Sequence, residues 1–177
     1  AATKIAADQL ALSYHKSFGL PVKIIRPFNC YGPRQSARAV IPTIITQLLN
    51  GDKVKLGNLA PTRDFTYVKD TAEAFIEISK SAETIGKVTN VGSNAEISIG
   101  ELAALIGKLA GIKADIDMDE QRVRPDASEV DRLFCDHSKI LTRTAWRPKY
   151  DIETGLSETI EWVRANLSGF KLSQYNV

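Results

Sequence analysis

Cysteine and histidine are scarce, with two of each in 177 residues. Cys30 and Cys135 stand too far apart in sequence for a disulfide framework or a metal clip, and with two histidines they assemble no zinc constellation. Both cysteines are therefore expected to be reduced and unreactive, with no metal. Net charge is also nearly absent, a formal +2 with lysines and arginines scattered along the chain. That distribution lacks the basic footprint nucleic acid requires, so an anionic ligand has to be met by local arginines. No apolar run approaches the roughly 18 residues of a spanning helix, and the first residues show no charged-then-apolar signal pattern. A soluble, cytoplasmic protein without a membrane partner is the expectation. What is present is ordinary: 44% hydrophobic and 25% charged, enough at this length for a real core and outside the disordered and fibrous classes.

The most informative stretch is Arg26-Pro27-Phe28-Asn29-Cys30-Tyr31-Gly32-Pro33-Arg34-Gln35. Before it, Val22-Lys23-Ile24-Ile25 is short, β-branched and bounded by Pro21 and Pro27. It predicts a buried strand that stops where proline has no N–H to give. The loop then leaves the strand at its carboxyl end, the edge of an open parallel sheet where ligands sit, so Asn29, Tyr31 and Arg34 are placed where polar side chains meet a substrate. The same prolines and glycine also suit a tight surface turn.

Residues 1–18 read as a helix with Ala7, Leu10 and Tyr14 on one face and Gly19 ending it. After the loop, Val40, Ile41, Ile44, Ile45, Leu48 and Leu49 form an apolar helical stripe closed by Gly51. Val54-Lys55-Leu56 and Phe65-Thr66-Tyr67-Val68 are short strands, and Asp70 caps a helix whose buried face is Ala72, Phe75 and Ile76. Lys87-Val88-Thr89-Asn90-Val91 is another strand. Ser98 with Glu101 is a capping box opening a helix with Leu102, Leu105, Ile106 and Leu109 inward and Gly111 after it. Residues 112–119 alternate as a half-buried strand, and residues 119–130 are irregular and densely charged, as functional loops often are. Asp136 caps a short helix through Leu141, and Leu156, Ile160, Val163 and Leu167 line the last one.

In chain order, the loop 26–35, Ala39-Val40-Ile41-Pro42, Arg63-Asp64-Phe65-Thr66-Tyr67-Val68-Lys69-Asp70, Asn90-Val91-Gly92-Ser93, Arg124-Pro125-Asp126 and Trp146-Arg147-Pro148, with Gly155-Leu156 and Trp162, carry a resemblance. Together they resemble the extended short-chain dehydrogenase/reductases that act on nucleotide sugars. Through residues 35–42 the likeness is closest to 4,6-dehydratases of N-acetylglucosamine-type donors. The resemblance implies an α/β fold made of the carboxyl-terminal part of a Rossmann-type parallel sheet plus a small α/β substrate-binding domain. Residues 1–35 would end the dinucleotide-binding domain, 36–177 would mainly bind the nucleotide sugar, and 64–92 would return to the Rossmann sheet.

It also implies the carboxyl half of a larger enzyme, inactive by itself. Ala1-Ala2-Thr3-Lys4 matches the four positions after the tyrosine of a Tyr-x-x-x-Lys motif, and the glycine-rich dinucleotide fingerprint is absent from these residues. The parent would be a lyase of polysaccharide biosynthesis that holds NAD or NADP, oxidises the sugar at C4, eliminates water across C5 and C6 and returns the hydride to C6. It would pair as a homodimer through a helix bundle that includes residues 1–18, with exposed apolar side chains such as Leu12. A nucleotide-sugar 4-epimerase is the alternative within the family. A non-catalytic sugar-nucleotide-binding fragment is the alternative of another class.

Carried over residue by residue, the resemblance makes Lys4 the catalytic and cofactor-binding lysine. Its ammonium, one helical turn from the motif's phenol, favours the ionised form and hydrogen-bonds the nicotinamide ribose. Pro27 falls beside the cofactor. Arg63 and Arg124 align with arginines that grip the substrate diphosphate, a role suited to a planar fork of donors, while a salt bridge with a local carboxylate such as Asp64 or Asp126 is the structural alternative. Asn29 matches an asparagine that donates to the diphosphate. Arg34 and Arg38 are weaker substrate contacts that would equally face water. Val40, Ile41 and Leu56 match segments enclosing the nucleobase and would equally serve as core. One departure is that the family's Arg-x-Gly-Asp is here Arg124-Pro125-Asp126-Ala127-Ser128-Glu129, without glycine, which leaves Glu129 as the residue expected at the ribose.

Overall fold

The first ladder runs through the proline expected to end it. The computed structural model describes residues 2–51, 53–123, 125 and 128–170. Helix α1 (Ala2–Phe18) closes at Gly19, whose φ of +68° is the left-handed cap geometry glycine adopts without strain. Strand β1 (Ile24–Pro27) carries its ladder through Pro27 itself, and the next residue, Phe28, donates its N–H to the Val91 carbonyl at 2.8 Å. Strand β2 (Asn29–Tyr31) comes at once, so residues read as loop are extended and paired. Tyr31 is consequently buried in the core, its hydroxyl donating to the Ile152 carbonyl at 3.3 Å, and does not face a substrate. Burial first, then neighbouring Tyr67, raises its phenol pKa further.

The chain continues through α2 (Val40–Asn50), β3 (Lys53–Leu56), β4 (Thr62–Arg63), β5 (Phe65–Tyr67), α3 (Val68–Lys80) and β6 (Val88–Val91). It then forms β7 (Ile97–Ser98), α4 (Ile99–Ala110), β8 (Asp115–Met118), β9 (Arg132–Leu133), α5 (Ser138–Arg143) and α6 (Ile152–Ala165). β1 pairs with β6, β2 with β5 and β3 with β8, all parallel, across the long helical crossovers that parallel pairing demands. β4 lies between β7, antiparallel, and β9, parallel.

The main core forms where α2, α4 and α6 meet: Ile41, Ile44, Ile45 and Leu48 pack with Leu102 and Ile106 and with Leu156, Ile160 and Val163, above Val54 and Leu56 of β3. Each such side chain, fully buried, contributes about 1.5–3 kcal/mol. Gly155 lets α6 lie against the sheet, since a Cβ there would overlap the Tyr31 hydroxyl and come 2.9 Å from the Tyr67 ring. A second core joins Ala74, Ile78, Val91, Ile140 and Trp146. The Ser98–Glu101 capping box opens α4 and left-handed Gly111 closes it, as the pattern predicts. Asp136, two positions before α5, accepts from the Ser138 N–H at 2.9 Å, and the helix runs to Arg143 rather than Leu141.

Two helices turn differently from their sequence pattern. In α3 the buried residues are Asp70, Thr71, Ala74 and Ile78, while Ala72, Phe75 and Ile76 face outward. Asp70 is the cause. Its carboxylate is no cap: it accepts from the N–H of Lys149 at 3.0 and 3.1 Å and of Tyr150 at 3.1 Å. Those bonds draw Asp70 inward, and Ala74 and Ile78, four and eight residues on, share its face. Trp146 adds an indole N–H bond to the Asp70 carbonyl at 2.9 Å. In α1 no residue is buried: Ile5, Leu10, Tyr14 and Phe18 are exposed, and Leu12 is half-buried rather than exposed.

Removing the Asp70 carboxylate strands two N–H groups and a helix face together. Hydrogen bonds to a charged group are worth about 1.5–3 kcal/mol each. We expect Asp70→Ala to cost about 2–4 kcal/mol in urea unfolding, well above the ~1 kcal/mol of a lost cap.

Candidate functional site

Successive residues of a strand point to opposite sides, and at positions 63 and 64 that alternation sorts two charges. Asp64 turns inward and is fully buried, accepting from the Ser93 N–H and hydroxyl at 2.8 Å, the Asn94 N–H at 2.9 Å and the Cys135 N–H at 3.2 Å. Burial, then Asp64, pushes the Cys135 thiol up to about 12, so this free cysteine stays protonated and inert. Arg63 turns the other way, into a cavity of about 550 Å³.

That cavity is lined by both apolar and charged side chains. Ile41, Leu56, Phe65 and Ile99 are among the first, and Arg38, Arg63, Arg122 and Glu129 are the second. Arg63 is held on two sides: one Nη donates to the Thr62 carbonyl and the other to Glu129 Oε1, both at 2.8 Å. Both side chains of this ion pair are only 15% exposed, so the pair is little screened by water. The carboxylate Arg63 finds is therefore Glu129, with Asp64 committed elsewhere. Arg122 donates from Nε to Asp119 at 3.0 Å, a contact that lowers the Asp119 carboxyl below its ordinary value. Backbone geometry brings Arg122 there: the Asp119 N–H bonds the Leu56 carbonyl at 2.7 Å, and a Cβ on Gly57 would overlap the Arg122 carbonyl. Glycine at 57 is what lets the two segments touch.

Of the residues singled out from sequence, Asn29, Arg38, Val40, Ile41, Leu56, Arg63 and Glu129 line this one cavity. Lys4 lies exposed on α1, Pro27 exposed at the end of β1, and Arg34 exposed in a turn with φ +67°, all outside the cavity lining. Arg124 lies outside the described residues. Sequence reasoning missed Gln35 and Arg122. Arg122 stands two positions before Arg124 in the dense charged segment, and that clustering was the available signal.

A second cavity, of about 700 Å³, opens beyond Phe65 beside Glu96, Glu101, Lys149 and Asp151. Its carboxylates outnumber its one cation, and each is engaged locally: Glu96 with Arg132, Glu101 with Ser98, and Asp151 with the Thr154 N–H. It does not suit an anion. Among the described residues no group of three or more His, Cys, Asp or Glu is placed to hold a metal ion, and no helix is long and apolar enough to cross a membrane.

Parallel strand pairs joined by helical crossovers, with an arginine-bearing cavity beside them, are the architecture of Rossmann-like α/β proteins. The family model described as GDP-mannose 4,6 dehydratase matches residues 1–159, and the chain belongs to that family. It is 34% identical over 170 residues to a dTDP-glucose 4,6-dehydratase of an Actinoplanes species, covering 95% of this chain and 52% of the relative. The crystal structure of dTDP-glucose 4,6-dehydratase from Bacillus anthracis in complex with NAD superposes with a TM-score of 0.86 at 32% identity, covering 96% of this chain and 53% of that one. A UDP-glucuronic acid 4-epimerase from Bacillus cereus, in complex with UDP-glucuronic acid and NAD, gives 0.84 at 27% identity, over 93% and 52%. The chain thus spans about half the length of these dehydratase relatives, and about a quarter of the trifunctional relatives from Arabidopsis thaliana.

The strand that presents Arg63 is braced by Glu96, which accepts from Arg132 at 2.7 Å and from the Thr62 hydroxyl at 2.8 Å. Those two bonds, the Arg132 one foremost, hold its carboxyl down to about 2 from an ordinary 4.5. A carboxylate held low stabilises the fold above its ordinary pKa and stops doing so as the pH falls through the lowered one. We expect Glu96→Gln to show a modest deficit in urea midpoint at pH 7, which narrows steadily against wild type as the pH falls from 4.5 toward 2.

Proposed function

We propose that this chain supplies the nucleotide-sugar-binding half of an NAD(P)-dependent nucleotide-sugar 4,6-dehydratase, a lyase. The observation that carries the proposal is the convergence of Arg38, Arg63 and Arg122, from three separate segments, on one cavity that apolar side chains also line. A nucleoside diphosphate joined to a sugar offers a flat base, an anionic centre and hydroxyls, and the cavity offers a counterpart to each. Val40, Ile41 and Leu56 enclose the base. Arg63 and Arg122, with Asn29, take the diphosphate, joined by Arg124 on its resemblance. Glu129 accepts from ribose hydroxyls. Arg34, on the exposed turn beside this cavity, contributes long-range attraction. The dehydratase relatives favour this reaction, whereas the Bacillus cereus neighbour favours a 4-epimerase as the second reading. A binding module without chemistry would use the same cavity.

One ion pair supports the assignment of Lys4 and Pro27 to the cofactor. Asp8, one helical turn after Lys4 and so on the same face of α1, is tied to Arg26 at 2.7 Å, and Arg26 adjoins Pro27. That ion pair brings the Lys4 face of the helix to the end of β1. Bound NAD(P) would supply a hydride acceptor at the outset and a donor at the close. Lys4 would donate to ribose hydroxyls and, as a fixed positive charge, favour the ionised form of the base that takes the C4 hydroxyl proton. The arginines would hold the diphosphate so that the sugar is presented without drift. Exposed Ile5, Leu10, Tyr14 and Phe18 on α1 support a homodimer through a helix bundle. A cytoplasmic setting and a role in polysaccharide biosynthesis complete the proposal.

Calorimetric titration of UDP and dTDP into the full-length protein tests it. Arg63→Ala and Arg122→Ala should each weaken binding by about ten- to a hundredfold, and the double variant should fall short of the summed losses, because both grip one ligand. Unchanged affinity with lowered stability would make these arginines structural partners of Glu129 and Asp119 and would reject the site.

A further inference from the structure

Gln35 carries an unfilled hydrogen bond into the proposed site. Its side chain lines the cavity, and its Nε2 donates to the Cys30 carbonyl at 2.8 Å. A carbonyl can only accept, so this bond fixes which end of the amide is nitrogen and turns Oε1 the other way. Among the described residues Oε1 is buried and has no partner. Buried acceptors are normally satisfied, and an orphan at a cavity wall points to a donor that arrives with a ligand. The backbone before it is held in an unusual shape: Arg34 sits at φ +67°, a conformation non-glycine residues keep only when their surroundings enforce it. The Gln35 N–H closes that turn on the Gly32 carbonyl at 3.3 Å.

The chemistry narrows the donor. Phosphate oxygens only accept, so a diphosphate would meet Oε1 with repulsion. The function proposed above gives the nucleobase to Val40, Ile41 and Leu56, whereas the Gln35 amide is bonded to Cys30, next to Asn29, where β1 gives way to β2. We propose that Gln35 is the group that reads the glycosyl moiety: its Oε1 accepts from a hydroxyl or an amide N–H of the sugar and so distinguishes a nucleotide sugar from the bare nucleoside diphosphate. This rests on the function proposed above and adds a specificity-determining residue to it.

Gln35→Met keeps the length of the side chain and removes the amide. Calorimetry on the full-length protein, wild type and variant, with UDP, UDP-glucose and UDP-N-acetylglucosamine reads the contact. The variant should bind UDP within about twofold of wild type while losing about tenfold for at least one of the two sugars. Equal weakening for all three ligands would make Gln35 a loop brace acting through Cys30, and no weakening would leave it without a role; either overturns the proposal while leaving the parent function standing. Wild type that binds none of the three, and neither dTDP nor GDP, overturns both together. If Gln35→Met fails to fold, wild-type protein titrated with monodeoxy UDP-glucose analogues reads the same bond from the ligand side. One analogue should then lose about tenfold, and uniform binding of the whole set would refute the assignment.

Discussion

The buried carboxylate of Asp64 is the constraint on which the rest of the site depends. It accepts from three separate backbone N–H groups, at Ser93, Asn94 and Cys135, and so fastens the junction of β4 and β5 to the loop after β6 and to the chain after β9. A charge taken out of water is tolerated only when its lone pairs are filled, and these bonds fill them. Because Asp64 cannot turn without emptying them, the backbone at Arg63 is fixed as well, and the Arg63 side chain leaves it toward the cavity. An arginine on a short strand is ordinarily free to snorkel to solvent. Here the Thr62 carbonyl and Glu129 hold it in place.

The ion pair between Arg63 and Glu129 then sets the character of the cavity. Two opposite charges at 15% exposure attract strongly but have surrendered hydration, so the pair by itself adds little net stability. Its value in the proposed function is positional. Glu129 holds the guanidinium on one side and the Thr62 carbonyl holds it on the other. A ligand that brings an anion and hydroxyls together satisfies both members of the pair, whereas a bare anion satisfies Arg63 and is repelled by Glu129. Arg38 and Arg122 tip the sum of charge toward anion binding.

How much of this was legible in the sequence depends on the separation of the partners. The capping box of Ser98 and Glu101, the stripe of α2 and the glycine ends of α1 and α4 all rest on residues within one or two turns of each other, and all were readable. Asp70 was not, because Lys149 and Tyr150, about eighty residues on, claim its carboxylate, and the helix face it commands moves with it. Tyr31 looked like a loop residue until β2 paired with β5 and drew it into the core. Within the site, Asn29, Arg63, Val40, Ile41, Leu56 and Glu129 could be named from motif resemblance, but Gln35 and Arg122 could not. Their importance comes from a bond to Cys30 and from a turn laid against Gly57, neither of which leaves a pattern in the letters.

The central claim is that the guanidinium groups of this cavity meet a diphosphate. Side-chain Nε–H resonances of arginine report on it directly, because each shifts when a phosphate oxygen enters its hydrogen-bonding range. In a titration of the ¹⁵N-labelled full-length protein with UDP, the account predicts saturable shifts at Arg63 and Arg122 and none at Arg143 and Arg147, which bond backbone carbonyls away from the cavity. Shifts distributed over the surface arginines, with Arg63 and Arg122 unmoved at saturation, would contradict it.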